Sequence, residues 1–456
     1  MPTDAYDEAY DDDGEPRPHY AAVVAALEEQ DLEELSERVR RFAADHGATF
    51  GHGRVFAVDP VPRLLTAAEW ADLEDGLGQR VRALDAFVRD VASGEQRIVA
   101  AGVLPERLAR SLPFREDDLA GAPEPPGARV AIAGLDVVRD RSGRFRVLED
   151  NVRTPSGLAY VLAARGAVER ELGEAGEPRP LRAAIAEQLR RVLDAARPRP
   201  ASDDAVVVLT DGPANDAFFE HGVLAELAGV ELVTPADVRA DGDRLRLRAS
   251  GREIQVVYRR TDADAIRGPD GAPTPIGELL LDPVRAGRIA VVNAFGTGVA
   301  DDKRIYPYVD AMVRFYLGEE PRLPSVPTYD LEDRAARDEA LARLDELVLK
   351  PRDGFGGHGV LIGATATDGE LRRAAERIVR DPGRWCAQER VLLSTHPTAI
   401  GGRLVPRHVD LRPFVFFDGE TATAIPGGLT RVALEEGSLV VNSSAGGGGK
   451  DTWVLR

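Results

Sequence analysis

Apolar residues recur at two different spacings along this chain, and these spacings predict where it forms helices and strands. Between residues 20 and 46, Val23, Leu27, Leu35 and Val39 follow the spacing of three or four that marks one or two amphipathic helices. The same spacing predicts helices at 67–91, 158–172, 181–196, 217–228, 332–346 and 369–380, and another that ends near residue 317. Short apolar runs predict strands at 129–139, 144–151, 205–209, 230–233, 254–258, 289–293, 385–393 and 408–417.

Prolines indicate where this pattern stops. Pro60 and Pro62 interrupt the helical part of the N-terminal region. Residues 101–127 contain five prolines, so we expect this segment to wrap over the surface without long elements. Pro198 and Pro200 indicate a boundary before the strands that follow.

Composition and charge narrow the class of protein. With 456 residues and 43% apolar content, the chain is long enough for two or three domains with full cores. The net charge of −19 disfavours nucleic acid and anionic membranes as partners. Cys386 is the single cysteine, which excludes an internal disulfide and a thiolate metal cluster. No signal-like N-terminus or membrane-length apolar run is present, so we expect a cytoplasmic protein, with a mobile acidic tail at 1–16.

The most informative stretch is 347–363, in which an apolar strand ends in Lys350, a glycine-rich loop follows, and a second strand begins. Glycines let backbone N–H groups turn towards an anion, and Lys350 adds a positive charge. The glycines satisfy G-x-G-x-x-G, but a strand follows where a dinucleotide fingerprint needs a helix. The Gly-Lys-Ser/Thr ending of a P-loop is absent. The His-Arg-Asp and Asp-Phe-Gly motifs, which accompany the glycine loop of protein kinases, are absent as well. A phosphate cradle and a plain glycine-rich hairpin both remain open from this loop alone.

The lysine count favours the phosphate cradle. Of the 58 basic residues only Lys303, Lys350 and Lys450 are lysines, so ordinary surface charge is carried by arginine. The three lie in Asp-Asp-Lys, in the strand before the glycine loop, and after a run of four glycines. A compact ammonium suits a phosphate oxygen where a planar guanidinium does not fit. The second glycine run, which ends at Lys450, predicts another phosphate or acyl-phosphate contact, with a flexible linker as the alternative.

Two predicted strands, 129–139 and 144–151, read as a hairpin that carries oxygen ligands. If Ser142 and Gly143 form the loop, Asp136 pairs across from Glu149, and Asn151 shares the face of Glu149. Three oxygen ligands on one patch suit Mg²⁺ that also binds phosphate, and the spacing also suits two metals. The alternative is a solvated hairpin edge.

Strands and helices alternate between residues 205 and 300, which is typical of an α/β unit. The loop 210–213 and the residues Arg259, Arg260 and Asp262 follow the carboxyl ends of strands, where open α/β sheets bind ligands. Ordinary surface charge is the alternative for each of these residues taken singly.

With these motifs described, the chain resembles the ATP-grasp superfamily. Asp302-Lys303, Lys350-Pro351, Gln388-Glu389, Asp410-x-Arg412-x-Phe-Val and Arg431…Asn442…Gly-Gly occur in the superfamily's order, while Asp136…Glu149-Asp-Asn151 stands near the front. The chain therefore looks circularly permuted. Runs such as Val-Leu-Glu-Asp-Asn-Val-Arg-Thr-Pro-Ser-Gly and Gly-Gly-Leu-Thr-Arg-Val-Ala-Leu resemble the circularly permuted type 2 group, from about residue 5 to the end. Glutathionylspermidine synthetase has a related permuted arrangement.

The resemblance implies an α/β (α+β) ATP-grasp fold and a carboxylate–amine ligase that uses ATP and Mg²⁺ and forms an acyl phosphate. The implied nucleotide ligands are Lys303, Lys350, Gly354, Gly356, Gly357, Gly359, Gln388, Glu389 and Asp410. The implied Mg²⁺ ligands are Asp136, Glu149 and Asn151, and the implied catalytic residues are Arg412, Arg431, Asn442 and Lys450. A kinase on the same scaffold and a nucleotide-binding protein without turnover are the alternatives.

The expected substrates are a small-molecule or peptide carboxylate and an amine. Basic candidates suit a carboxylate and acidic ones an amine; the candidates are Arg153, Ser156, Asn215, Glu220, His221, Arg259, Arg260 and Asp262. We expect four parts: a mostly helical extension at 1–127, a permuted segment with the metal-ligand hairpin at 128–200, an α/β substrate-side domain at 201–300, and the ATP-grasp lid and core at 301–456.

Overall fold

The computed structural model of the chain describes residues 5–51, 53–200, 202–262, 265–354, 359–435, 441 and 447–456. Its helices are α1 Ala21–Glu28, α2 Leu32–Asp45, α3 Ala67–Ser93, α4 Arg97–Ala100, α5 Glu106–Arg110, α6 Leu158–Leu172, α7 Arg182–Ala195, α8 Phe218–Ala228, α9 Pro275–Arg285, α10 Val309–Met312, α11 Arg334–Ala342 and α12 Asp368–Arg380. Its strands are β1 Thr49–Phe50, β2 Arg54–Val55, β3 Val58–Leu65, β4 Ile132–Arg139, β5 Phe145–Asn151, β6 Ala205–Thr210, β7 Glu231–Val233, β8 Val238–Asp241, β9 Arg244–Leu247, β10 Glu253–Arg260, β11 Ala290–Val292, β12 Thr328–Asp330, β13 Leu347–Pro351, β14 Leu361–Ile362, β15 Trp385–Glu389, β16 Thr395–Ile400, β17 Arg403–Phe417, β18 Ala422–Val432 and β19 Gly448–Val454.

A seven-stranded sheet, called here the large sheet, forms the centre of the fold. Its order is β3-β19-β18-β17-β4-β5, and β16 pairs with β17. The α3 helix packs on β17 and β18, while α6 packs on β18 and β19. The pairing is antiparallel except between β19 and β3. The fold is therefore mixed α/β, as predicted.

Strand β3 was not predicted, because Pro60 and Pro62 suggested an interruption. Every residue of β3 is buried, and β3 lies at one end of the sheet order. Proline lacks the N–H that a central strand needs for both ladders, but an end strand pairs on one side only. The missing donors are therefore tolerated here.

Residues 6–9 of the acidic N-terminal tail pack against the large sheet, so the prediction of mobility is wrong for them. Glu8 and Ala9 are buried. Glu8 N–H donates to the carbonyl of Thr395, and Thr395 N–H donates to the carbonyl of Tyr6. The charge of Glu8 is matched inside the protein by Arg63.

In the chain order, two smaller sheets are inserted between β5 and β16 of the large sheet. The six-stranded sheet joins β7, β6, β10 and β11 in parallel, which confirms the predicted α/β unit, and carries the unpredicted hairpin β8–β9. The four-stranded sheet has the order β12-β15-β13-β14 and is antiparallel. Buried side chains of α11, α12, β13 and β15 form its own core. None of the helices within the described residues is long and apolar enough to span a membrane.

Candidate active site

A cavity of about 320 Å³, called here the central cleft, lies between the large sheet and the four-stranded sheet. Strands β4, β5, β17 and β18 supply one wall, while β13, β14 and the end of β15 supply the other. The cleft brings together these predicted site residues: Asp136, Glu149, Asn151, Arg153, Lys303, Lys350, Gly354, Gln388, Glu389, Asp410, Arg412 and Arg431.

The predicted hairpin places its oxygen ligands as expected, although its loop differs. Asp136 pairs with Glu149 across β4 and β5. The loop is one residue longer than predicted, because Arg139 pairs with Phe145. The register shifts again between Asp136 and Val137, where a bulge leaves one residue of β5 without a partner. This second shift restores the predicted pairing of Asp136 with Glu149.

Lys350 and Glu149 meet across the central cleft. The Lys350 ammonium donates to Glu149 Oε1 at 3.1 Å, and Lys350 is buried. Burial raises the pKa of Glu149, but the charges of Lys350 and Lys303, together with the Lys350 hydrogen bond, hold that pKa below its ordinary value. The two strongest predictions from sequence, a phosphate lysine and a metal carboxylate, are therefore direct neighbours.

Lys303 lies on the glycine-loop side of the central cleft, where its ammonium donates to the carbonyl of Gly354. Gly359, the last glycine of the loop, has φ +75°, a left-handed conformation that favours glycine. The predicted ligands Gly356 and Gly357 lie outside the described residues. The contact joins the Asp-Asp-Lys segment to the start of the glycine loop.

Two arginines and two aspartates form a quartet at one end of the central cleft, in which Arg412 is half-buried and the other three are buried. Arg412 Nε and Nη2 donate to the two carboxylate oxygens of Asp136 at 2.6 and 3.0 Å. Arg431 Nη2 donates to Asp136 Oδ2 at 2.8 Å, and Arg431 also forms an ion pair with Asp410. Burial raises the pKa of Asp136, but both guanidinium groups together hold it well below the ordinary range. Both arginines are thus fixed in position by aspartates that share their face of the sheet.

The metal prediction can be tested on the oxygen donors themselves. Within the described residues, no group of three or more His, Cys, Asp or Glu side chains is arranged to hold a metal. Glu149 and Asn151 fit as ligands: both line the cleft, and the buried Asn151 Nδ2 has no hydrogen-bond partner among the described residues. An amide flip exchanges its nitrogen and oxygen, which presents Oδ1 there. Asp136, in contrast, has both oxygens held by arginines.

The side chains of Gln388 and Glu389 form hydrogen bonds with other side chains of the protein. Gln388 Nε2 donates to Thr328 Oγ1 at 2.9 Å, and Glu389 accepts from Tyr329 and Arg343. Apolar side chains of both sheets and of the segment after β15, which the sequence interpretation missed, line this end of the cleft: Leu148, Val348, Ile362, Val391 and Leu393. Val348 stands two residues before Lys350 on β13, so the two-residue period of a strand was a signal that could have found it.

The predicted catalytic residue Lys450 does not reach the central cleft. Asn442 lies outside the described residues. Lys450 is fully buried, forms an ion pair with Asp59, and donates to the carbonyl of Pro397 at 3.0 Å. Because Thr430 pairs with Lys450, the side chain of Lys450 lies on the opposite face from Arg431.

The substrate candidates are spread over several places in the structure, and all except the exposed Asp262 are buried or half-buried. Glu220, Arg260 and Ser156 contact one another behind the central cleft. His221 bonds Thr210 Oγ1 at 2.8 Å.

Asn215 donates to Asp262 Oδ1 at 2.8 Å. Arg153 borders the cleft and bonds Asp301, while Arg259 is buried beside the ring of Phe295. Arg153 alone of these candidates is among the residues that line the cleft.

Comparisons with known proteins agree with this architecture. An uncharacterized protein of Mycobacterium leprae is 42% identical over 471 residues, which covers 99% of this chain and 82% of that protein. An uncharacterized Synechocystis protein is 41% identical over 472 residues, with 100% and 98% covered. A Frankia alni protein is 46% identical over 467 residues, and its name gives it as a glutamate–cysteine ligase 2-3 whose activity is unproven. The matched region covers 99% of this chain but only 54% of the Frankia protein.

Structure comparison and the family model extend over most of the chain. The apo structure of a glutathione synthetase-like effector, GSS30 from Globodera pallida, has a TM-score of 0.61 and covers 94% of this chain and 98% of its own. At 12% identity this likeness shows the fold alone. The family model for circularly permuted ATP-grasp type 2 matches residues 62–433. The chain therefore belongs to the circularly permuted ATP-grasp type 2 family.

Proposed function

We propose that this protein is an ATP-dependent carboxylate–amine ligase that works through an acyl phosphate. The observation that carries the proposal is the meeting of four cationic side chains from both walls of one cleft, beside the oxygen donors Glu149 and Asn151. The cations are Lys303, Lys350, Arg412 and Arg431. A cluster of this charge in a cavity between two sheets suits a triphosphate and the charge that develops during its transfer.

The nucleotide base has a suitable place at the other end of the cleft. Leu148 and Leu393 from one wall and Val348 and Ile362 from the other supply apolar surface for a flat ring. The chain leaves β15 at Glu389 and continues along the cleft through Arg390 and Val391. The side chain of Gln388 is engaged with Thr328, so we expect shape and main-chain groups, more than that side chain, to select the base.

The phosphates would replace the contacts that the lysines now make within the protein. Lys350 bonds Glu149 and Lys303 bonds the carbonyl of Gly354, and phosphate oxygens are stronger acceptors for both ammonium groups. Glu149, released from Lys350, would then hold Mg²⁺ together with Asn151. Mg²⁺ bound there would neutralise charge on the transferring phosphoryl group.

The proposed reaction has two steps. In the first, a substrate carboxylate oxygen attacks the γ-phosphorus, the bond between that phosphorus and the β–γ bridging oxygen breaks, and ADP leaves. In the second, an amine attacks the acyl carbon, inorganic phosphate leaves, and the amine loses a proton. Arg412 and Arg431, which Asp136 and Asp410 hold in place, would stabilise the transferred phosphoryl.

The relatives support the reaction class. A glutamate–cysteine ligase, the activity in the Frankia protein's name, joins a carboxylate to an amine. That protein is longer than this chain, which spans 54% of it, so its substrates are not carried over. The guanidinium of Arg153 at the edge of the cleft suits a second carboxylate on either substrate.

The test is to incubate the protein with Mg·ATP, pooled amino acids and short peptides, and hydroxylamine, and to measure ADP and hydroxamate. Hydroxylamine captures an acyl phosphate without the natural amine. We expect hydroxamate from the wild type, and a loss of at least about 10²-fold in the variants Glu149→Gln and Lys350→Ala. Splitting the active pool would then identify the carboxylate.

An exposed variant provides the matched control. Arg334→Ala removes a side chain that is 87% exposed on α11, so hydroxamate formation should stay at the wild-type level. ADP and a phosphorylated compound without hydroxamate would replace the ligase proposal by a phosphotransferase. Near-normal ADP formation in both Glu149→Gln and Lys350→Ala would contradict the assignment of the site itself.

A further inference from the structure

The turn between β5 and α6, residues 155–157, is packed directly against the central cleft and is called here the Ser156 turn. The carbonyl of Ser156 accepts from Arg412 Nη1 at 3.3 Å. Gly157 has φ +140°, and a Cβ there would lie 2.7 Å from Phe414 Cζ. The position of this turn and that of Arg412 on β17 are therefore coupled.

Glu220 caps the helix that follows the turn. Its Oε1 accepts from the backbone N–H of Gly157 at 2.7 Å and of Ala159 at 3.3 Å, and the residue is 0% exposed. Gly157, at the N-cap of α6, has no side chain for this purpose. A carboxylate at the positive end of α6 is favoured by the helix dipole. A residue of α8, in the α/β unit, thus completes a helix of the large-sheet region.

Arg260, at the end of β10, holds the same turn from its other side. Its Nη2 donates to Glu220 Oε2 at 2.9 Å and to the Ser156 hydroxyl, and its Nη1 donates to the carbonyl of Pro155 at 2.8 Å. The neighbouring His221 has a pKa of about 3, lowered by burial and by the Arg260 charge, so it stays neutral and adds no competing cation. The pair therefore binds a carbonyl, a hydroxyl and two amides of one short segment.

We propose that Glu220 and Arg260 are positioning residues, which hold the Ser156 turn so that Arg412 keeps its orientation in the central cleft. Neither residue is among those that line the cleft, and both are buried. This differs from the role of substrate contact predicted from sequence. The consequence for reaction rate rests on the proposed ligase function, but the effect on the turn does not.

The main test is Glu220→Gln, which preserves shape and removes the charge. We expect kcat for hydroxamate formation to fall on the order of 10²-fold, because small displacements of aligned groups have effects of that size, while the KM for ATP stays within a few-fold. Amide hydrogen exchange of peptides spanning 155–160 should become faster, since Gly157 and Ala159 lose a charged acceptor. If Glu220→Gln does not fold, Arg260→Lys, which keeps the charge but not the forked geometry, should give the same two results.

Asp451→Asn is the matched control. Asp451 on β19 accepts from Arg165 Nε at 2.8 Å, so the variant disrupts a buried arginine–carboxylate pair that joins β19 to the same helix, α6, away from the turn. It should lower the thermal midpoint without changing kcat or the exchange of 155–160. An equal loss of kcat in this control would overturn the proposal, as would a raised KM with unchanged kcat in Glu220→Gln. If the wild type makes no hydroxamate, the ligase function fails, and unchanged exchange in Glu220→Gln would then separately overturn the positioning role.

Discussion

Replacing Glu8 by glutamine should strongly destabilise the large sheet. The Glu8 carboxylate is buried, and Arg63 Nε and Nη2 donate to it at 2.7 and 2.6 Å. Arg63 Nη1 also donates to the carbonyl of Asp410 at 3.0 Å, directly behind the arginine–aspartate quartet. A neutral side chain at position 8 would leave the buried guanidinium of Arg63 without this charge partner.

The pKa of Glu8 sets the size of the effect. Burial raises this pKa, but Arg63 and Arg139 outweigh it and lower it from 4.5 to about 2. At about 1.4 kcal/mol per pH unit, that difference corresponds to roughly 3 kcal/mol of folding free energy at neutral pH. Measured losses for one partner of a buried ion pair, about 3–5 kcal/mol, lie in the same range.

The effect has a defined pH window. Because the folded-state pKa lies below the unfolded one, the ionised Glu8 contributes fully above about pH 4.5, and its contribution is lost as the pH falls to about 2. The assay is urea unfolding followed by tryptophan fluorescence, since Trp70 and Trp453 are both fully buried in the same core. The wild type and Glu8→Gln should differ most at neutral pH and converge near pH 2.

A surface glutamate is the control for this prediction. Glu37 pairs with Arg40 on α2, where both side chains are exposed, so Glu37→Gln should leave the unfolding curve unchanged. A loss below about 1 kcal/mol for Glu8→Gln at neutral pH would refute the reasoning, because exposed pairs already reach that value. A difference that stayed constant down to about pH 2 would show that the charge of Glu8 is not the cause.

Three further outcomes are expected. Gly157→Ala should lower both the thermal midpoint and ATP turnover, because its Cβ would meet Phe414, whereas Gly222→Ala, in α8 with nothing within 4 Å, should lower neither, since alanine favours a helix. Cys386, whose pKa burial raises to about 12, should resist iodoacetamide until the protein unfolds. The imidazole of His221, with a pKa lowered to about 3 chiefly by burial, should show no NMR titration between about pH 8 and about pH 5.

Local patterns predicted the main features of the central cleft. Asp136 and Glu149 pair as the hairpin pattern indicated, and Asp410 and Arg412 share the cleft-facing side of β17 as the alternation indicated. The loop of that hairpin was predicted one residue too short, and a bulge between Asp136 and Val137 compensates for the difference.

The same local reasoning failed for β3 and for the acidic tail. Two prolines in β3 are acceptable only because this strand lies at the end of the sheet order beside β19, nearly four hundred residues later in the chain. The buried carboxylate of Glu8 is stabilised by its ion pair with the buried guanidinium of Arg63. No sequence pattern close to either segment indicates these partners.

The sequence by itself determined the family, the order of its motifs, and the faces on which the cleft residues lie, because strand alternation and loop chemistry are properties of neighbouring residues. Only the tertiary structure decided which charges meet. Lys450, predicted as a catalytic contact, forms an ion pair with Asp59 on the far face of the sheet, and Glu220, predicted as a substrate contact, caps α6. A buried charge must find a partner wherever the fold supplies one, and that partner is set by packing between distant elements.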